Sequence, residues 1–202
     1  MTRLFLNAKD AAIHDALPSL CLFPNLAELD LELEEENGND GELDLLDLPP
    51  LPALRRLACM KWGFLGIGGP IALPQLTQLQ LHFSPVIEVD AALPNLQELE
   101  VFGAGTCLLS GERLRLPRLT ALSLLHVLAD AYVDWLALPE LASLTCELHS
   151  DMRINTAGLS ALSRLTALQV RNLDCELRQD PANLLLQAAP PSLRSLALLW
   201  EA

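Results

Sequence analysis

The stretch Leu93-Pro94-Asn95-Leu96-Gln97-Glu98-Leu99-Glu100-Val101 carries the pattern that the whole chain repeats. Leu99 and Val101 are two apart, so on a strand they share one face, while Glu98, Glu100 and Phe102 share the other. The same Leu-Pro-x-Leu-x-x-Leu-x-Leu order recurs at Pro24 with Leu26, Leu29 and Leu31, and at Pro52 with Leu54, Leu57 and Cys59. It returns behind Pro74, Pro117, Pro139 and Pro191, while Ser163 replaces the proline before Leu165, Leu168 and Val170. Leu4-Phe5-Leu6 reads as a shortened first copy. The middle anchors are therefore 4, 29, 57, 79, 99, 122, 144, 168 and 196, spaced by 20 to 28 residues. Each copy predicts one short strand with two inward anchors, and proline suits the strand's start because it fixes φ and carries no N–H.

Between the strands the pattern predicts returns of several kinds. Residues 8–17 read as a short helix ended by Pro18. The segment Glu34 to Glu42 holds five carboxylates and two glycines in nine residues and reads as a solvated loop, after which Leu43 to Leu48 rejoin the core. The glycines at 63, 66, 68 and 69 predict a turn, since glycine disfavours helix. The next two returns read as extended or turn-like. Asp130 to Leu138 predicts a helix with Tyr132, Trp135 and Leu136 on one side. Asn155 to Leu162 predicts another, and Asp180-Pro181 opens a third through Leu184, Leu185 and Gln187.

Nine copies at this spacing resemble the leucine-rich-repeat family over almost the whole chain. The resemblance implies an α/β fold of one domain, residues 1–202. It would be a solenoid with a curved parallel sheet on its concave face and turns and short helices on its convex face. One feature departs from the family, which places Asn or Cys three residues after the last anchor to tie neighbouring turns together. Here those positions are Glu34, Trp62, Ser84, Ala104, Val127, His149, Leu173 and Glu201, so no asparagine ladder can form.

Composition narrows the function. Hydrophobic residues make up 51% and aromatic residues 4%, which fits a leucine-filled core rather than a nucleotide or sugar pocket. The formal charge of −13 argues against nucleic acid or anionic membrane as the main partner and fits a basic partner or good solubility. Of the five cysteines, Cys59 and Cys146 hold anchor positions and read as small core hydrophobes. The odd count and unpaired spacing point to a reducing compartment. The N-terminal apolar run is too short for a signal peptide and nothing approaches a membrane span, so a cytoplasmic location is expected.

No cofactor, metal or catalytic set is expected. With Glu36 in first place, the acidic loop would imitate a calcium loop at Asp40, Gly41 and Asp47, but Gly38 takes the third place and offers no side-chain oxygen. The run Gly63 to Gly69 lacks the Lys-Ser/Thr and helix of a phosphate cradle. The four histidines, His14, His82, His126 and His149, show neither metal-ligand spacing nor a catalytic order.

The outward strand positions are the strongest functional feature. Candidate partner-binding residues are Glu28, Asp30, Glu32, Arg56, Gln80, His82, Phe83, Glu98, Glu100, Phe102, Leu125, His126, Glu147 and Arg171. Arg3, Phe5, Ala58 and Met60 share these rows, and Phe83, His126 and Trp200 stand one step beyond them. Alternation alone would put polar residues here, but exposed aromatics inside a charged rim are what a binding face needs. Nine strands span roughly 40 Å, ample for about 800 Å² of a protein partner. The expected function is therefore non-enzymatic binding of a protein with a basic surface, as an intracellular inhibitor or immunity protein acting on a toxin or nuclease. The alternative is a substrate-recognition or targeting module of a larger machine, such as a ubiquitin ligase or a secreted effector. Its argument is the short C-terminal cap after the last strand. A third reading is a homo-oligomer joined at its edge strands.

Overall fold

The computed structural model describes residues 2–8, 10–33, 42–44, 47–62, 64–69, 73–148, 153–172 and 185–200. Residues 34–41 of the acidic loop, the start of the helix expected after Asp180, Cys175 and His149 lie outside them. Nine parallel strands form the first sheet: β1 (Arg3–Ala8), β2 (Glu28–Leu33), β4 (Arg56–Met60), β6 (Gln78–His82), β8 (Glu98–Phe102), β10 (Ala121–Leu125), β12 (Ser143–Leu148), β14 (Ala167–Asn172) and β15 (Ser195–Trp200). They lie in that order, and every inward anchor is in register with the anchor of the next copy, Leu79 with Leu99 and Leu99 with Leu122.

The returns differ from expectation. Most contain a strand of a second parallel sheet: β3 (Glu42–Asp44), β5 (Phe64–Gly69), β7 (Val86–Ala91), β9 (Thr106–Leu109), β11 (Asp130–Val133) and β13 (Arg153–Ile154); only β7 and β9 fall in returns expected to be extended or turn-like. The chain thus alternates between sheets from β2 to β14. The glycine run expected to turn is β5, paired along its length with β7. The helix expected over 130–138 is β11 followed by one 3-10 turn, Trp135–Ala137. Tyr132 and Leu136 are exposed while Trp135 is buried, so these residues do not share a face. Hydrogen-bonding partners on β9 and β13 outweigh the helical spacing of the three side chains. The helix expected over 155–162 is likewise one 3-10 turn, Leu159–Ala161. The first return is a helix, α1 (Asp10–Ala16), which ends before Pro18 as expected. A separate 3-10 segment, Leu17–Leu22, starts next, with the proline in its first turn, where a missing N–H leaves no bond unmade.

The repeated proline stands not at a strand's start but at a corner before it. Leu26 N donates to Phe23 O at 2.9 Å, Leu76 N to Leu73 O at 3.2 Å and Leu96 N to Leu93 O at 3.2 Å. Each bond closes a four-residue turn with proline second, the place its φ suits. Leu162-Ser163-Arg164-Leu165 makes the same turn without proline. The residues after each turn then bond to the copy before. Gln97 N and Glu98 N both donate to Thr77 O, and Thr120 N and Ala121 N to Gln97 O. Backbone bonds of this kind tie the copies together in place of an asparagine ladder. At the ladder positions Trp62, Ser84, Ala104 and Val127 point inward and are buried. Asparagines elsewhere do bridge copies: Asn155 accepts from Val133 N at 2.7 Å and donates to Val133 O at 2.9 Å, and Asn95 donates to Pro74 O at 2.7 Å.

Anchors from both sheets belong to one cluster of buried side chains, in which Leu57 and Cys59 of β4 join Leu65 and Ile67 of β5. Cys107 is an inward residue of β9 in the same cluster. Burial alone pushes the Cys107 and Cys146 thiols up to about 12. The Cys59 thiol is raised further, first by burial and then by the charge of Asp30. Among the described residues no helix is long and apolar enough to cross a membrane.

Candidate functional site

Parallel register stacks the outward residues of the first sheet into rows. One row runs Arg3, Glu28, Arg56, Gln78, Glu98, Ala121, Ser143, Ala167 and Ser195. The next runs Phe5, Asp30, Ala58, Gln80, Glu100, Ser123, Thr145, Gln169 and Ala197. The third includes Glu32, Met60, His82, Phe102 and Leu125 on neighbouring strands, and farther on Glu147, Arg171 and Leu199. All fourteen candidate residues thus belong to this sheet or to the corners that follow its strands.

They are not all displayed. Asp30 and Glu147, expected on the surface, are each only 4% exposed, and Ala58 is buried too. Their longer neighbours cover them. Arg3 Nη2 donates to Asp30 Oδ2 at 3.0 Å, and Arg56 Nη1 donates to the other oxygen. Arg3 also lies 3.6 Å from Glu28, and Lys61 Nζ lies 2.8 Å from Glu32 Oε1. The acidic residues of β2 are therefore neutralised within the sheet. Arg3 and Lys61 were missed as candidates. Lys61 was legible, because it stands one step past Met60 as Phe83 stands past His82.

The middle of the sheet is different. The outward positions of β6, β8 and β10 contain no lysine or arginine. Glu98 accepts only a neutral amide, from Gln78 Nε2 at 2.9 Å, among its described bonds. Glu100 Oε1 lies 3.1 Å from His82 Nε2. The side chains of Gln78, Gln80, Glu98, Glu100, Ala121 and Ser123 line a shallow groove here. Small residues on β10 leave one side of it low.

At the C-terminal end of this groove four rings meet. Phe83 and Phe102 lie edge to face with centroids 5.0 Å apart, and Phe102 and His126 lie edge to face at 4.8 Å. His82 is tilted against Phe102 at 5.8 Å. His126 Nε2 is 3.4 Å from Glu147 Oε1, which places a second carboxylate beside the cluster. Phe83 is 52% exposed, while Phe102 and Leu125 are half-buried.

The backbone that positions these rings is unusual. Lys61, Phe83, Gly103 and His126 each follow a strand of the first sheet, and all have positive φ, between 52° and 70°. Left-handed backbone is free for glycine but costs an L-residue about 1–2 kcal/mol. Three of the four positions accept that cost. The corner is held by cross-copy bonds, Phe83 N to Phe102 O at 2.7 Å and Gly103 N to Leu125 O at 2.9 Å. Gly103 is required for a second reason: a Cβ there would stand 2.8 Å from Phe83 Cδ1. The Phe83 ring occupies the space that a side chain at 103 would need.

No protein-family model matches the chain, and no curated protein or solved structure matches it either. The site's chemistry rests on its own side chains. Carboxylates without a permanent counter-charge and aromatic faces both attract cations. Among the described residues no group of three or more His, Cys, Asp and Glu side chains is placed to hold a metal ion.

Proposed function

We propose that the chain is a leucine-rich-repeat solenoid that binds a basic protein through its first sheet, as an inhibitor of the toxin or nuclease class. In this reading the nine-stranded sheet is the concave side. The observation that carries the proposal is the contrast along that sheet. The carboxylates of β2 have arginine and lysine partners, whereas Glu98 and Glu100, beside a partly exposed aromatic cluster, have none on their own or adjacent strands. An uncompensated acidic patch speeds encounter with a basic surface, and neighbouring aromatics supply the desolvated contact that holds it. Toxins and nucleases that act on nucleic acid carry such basic surfaces, because they must bind phosphate.

The test is co-purification from the source cell with wild-type protein, with Glu98→Arg/Phe102→Ala, and with Glu88→Arg on the second sheet. A stoichiometric basic protein should be retained by wild type and by Glu88→Arg and lost with the double variant. Its toxic or nuclease activity should be titrated to zero at one equivalent. Retention by all three proteins, or a partner without a basic surface, would overturn the proposal.

A further inference from the structure

We infer that the groove between β6 and β10 is an arginine-binding site, in which a partner's guanidinium pairs with Glu98 and Glu100 and stacks on Phe102. The inference rests on the binding face proposed above and names the side chain that the face takes. Glu98, Glu100 and Phe102 alternate along one face of β8, so the two carboxylates line the groove and the Phe102 ring follows them just beyond its end. Ala121 and Ser123 on β10 are in register with Glu98 and Glu100 and too short to fill the space beside them. The opening is therefore low, flat and acidic, with an aromatic end.

The carboxylates are held by groups that a guanidinium can displace. Gln78 gives Glu98 an uncharged amide donor, and the His82 ring shares a hydrogen bond with Glu100. An amide donor brings a carboxylate no counter-charge, whereas a guanidinium brings a full positive charge and two parallel N–H groups. The charged groups nearest the groove are committed elsewhere, and Arg171 stands three strands away from β8, on β14. Arg56 bonds Asp30 and Gln80, Lys61 pairs with Glu32, and Glu147 lies beside His126. Arginine fits better than lysine, because the planar guanidinium offers two parallel N–H groups to a carboxylate and a flat face to a ring.

The aromatic end is preserved against backbone preference. Gly103 proves that the corner after a strand accepts glycine, yet Phe83 and His126 keep rings there in left-handed conformation. Phe83 is half exposed, so burial alone does not repay its conformation. Its ring does brace Phe102 at an angle of 77°.

The test needs no natural partner. The amide spectrum of the ¹⁵N-labelled protein is titrated with acetyl-Gly-Arg-Gly-amide, with its lysine counterpart and with the neutral citrulline isostere. The arginine peptide should give saturable shifts confined to β6, β8 and β10, several-fold tighter than the lysine peptide, and citrulline should give none. Glu98→Gln/Glu100→Gln should weaken binding at least about tenfold, while Glu88→Gln on the second sheet should not, with circular dichroism confirming that both variants fold. Absent shifts at tens of millimolar arginine peptide, equal binding of lysine or citrulline, or insensitivity to the double variant would each overturn the inference. If the peptide fails while a basic protein still needs Phe102 and Glu98, the arginine site falls and the proposed function stands. If the peptide binds but no protein depends on this face, the proposed function falls instead.

Discussion

Replacing Gly103 by alanine tests the corner that holds the aromatic cluster. Two costs add. At φ +70° an L-residue pays about 1–2 kcal/mol. The new Cβ would also lie 2.8 Å from Phe83 Cδ1 and 3.5 Å from Phe83 Cα, so the ring must move away from Phe102. An edge-to-face pair contributes about 0.5–1.5 kcal/mol beyond its buried area. Against this, alanine narrows the unfolded ensemble by about 0.4–1 kcal/mol. The net expectation is a loss of about 2 kcal/mol. With a urea slope of about 2 kcal/mol/M, the midpoint should fall by about 1 M at unchanged slope. The two costs separate in a double-mutant cycle with Phe83→Ala, because only the clash disappears when the ring is gone. A coupling of about 1 kcal/mol is expected between these touching residues. A Gly103→Ala midpoint indistinguishable from wild type would refute the argument. Strict additivity with Phe83→Ala would refute the clash and leave only the backbone cost. The displaced ring should also weaken the arginine peptide.

Other glycines should behave oppositely to one another. Gly105→Ala would put a Cβ 2.5 Å from the Pro85 carbonyl oxygen, where backbone must shift, so thermal unfolding should come several degrees earlier. Gly68→Thr, in open space on β5, should raise the melting temperature through better strand propensity. Asp30→Ala leaves Arg3 and the half-buried Arg56 facing each other without their shared carboxylate. Loss of a buried partner costs about 3–5 kcal/mol, and the exposure of Arg3 reduces this to about 2 kcal/mol. A urea titration in which Asp30→Ala matches wild type would show the network to be dispensable. The buried thiols give a pH signature. Folded Cys107 and Cys146 hold their protons to about 12, whereas unfolded thiols ionise from their ordinary value near 9. Between these values the folded state binds more protons, so stability is complete below pH 9 and falls as pH rises toward 12. Peptide mapping after brief alkylation of native protein should find exposed Cys21 labelled and Cys59, Cys107 and Cys146 protected. Labelling of all four at one rate would contradict the core described above.

The Leu-x-x-Leu-x-Leu order by itself determined the first sheet. Alternation is a local property, so Leu79, Leu99 and Leu122 name both an inward face and, through their recurrence, the strands they pair with. The second sheet was less legible, because its strands are short and their side chains satisfy two periods. Tyr132, Trp135 and Leu136 match helical spacing as well as Asp130–Val133 matches a strand, and pairing with β9 and β13 decides between them. The glycines of β5 suggested a turn until β7 supplied a full set of backbone partners. The candidate face was legible as a list of residues but not as a distribution of charge. Asp30 meets Arg3 and Arg56 across 27 and 26 residues, and only register brings them together. The same register leaves Glu98 and Glu100 without a lysine or arginine beside them and gathers Phe83, Phe102 and His126 into one cluster. A one-dimensional pattern specifies which way each side chain points. Which groups stand beside it depends on how the returns close, and that is settled only when the copies stack.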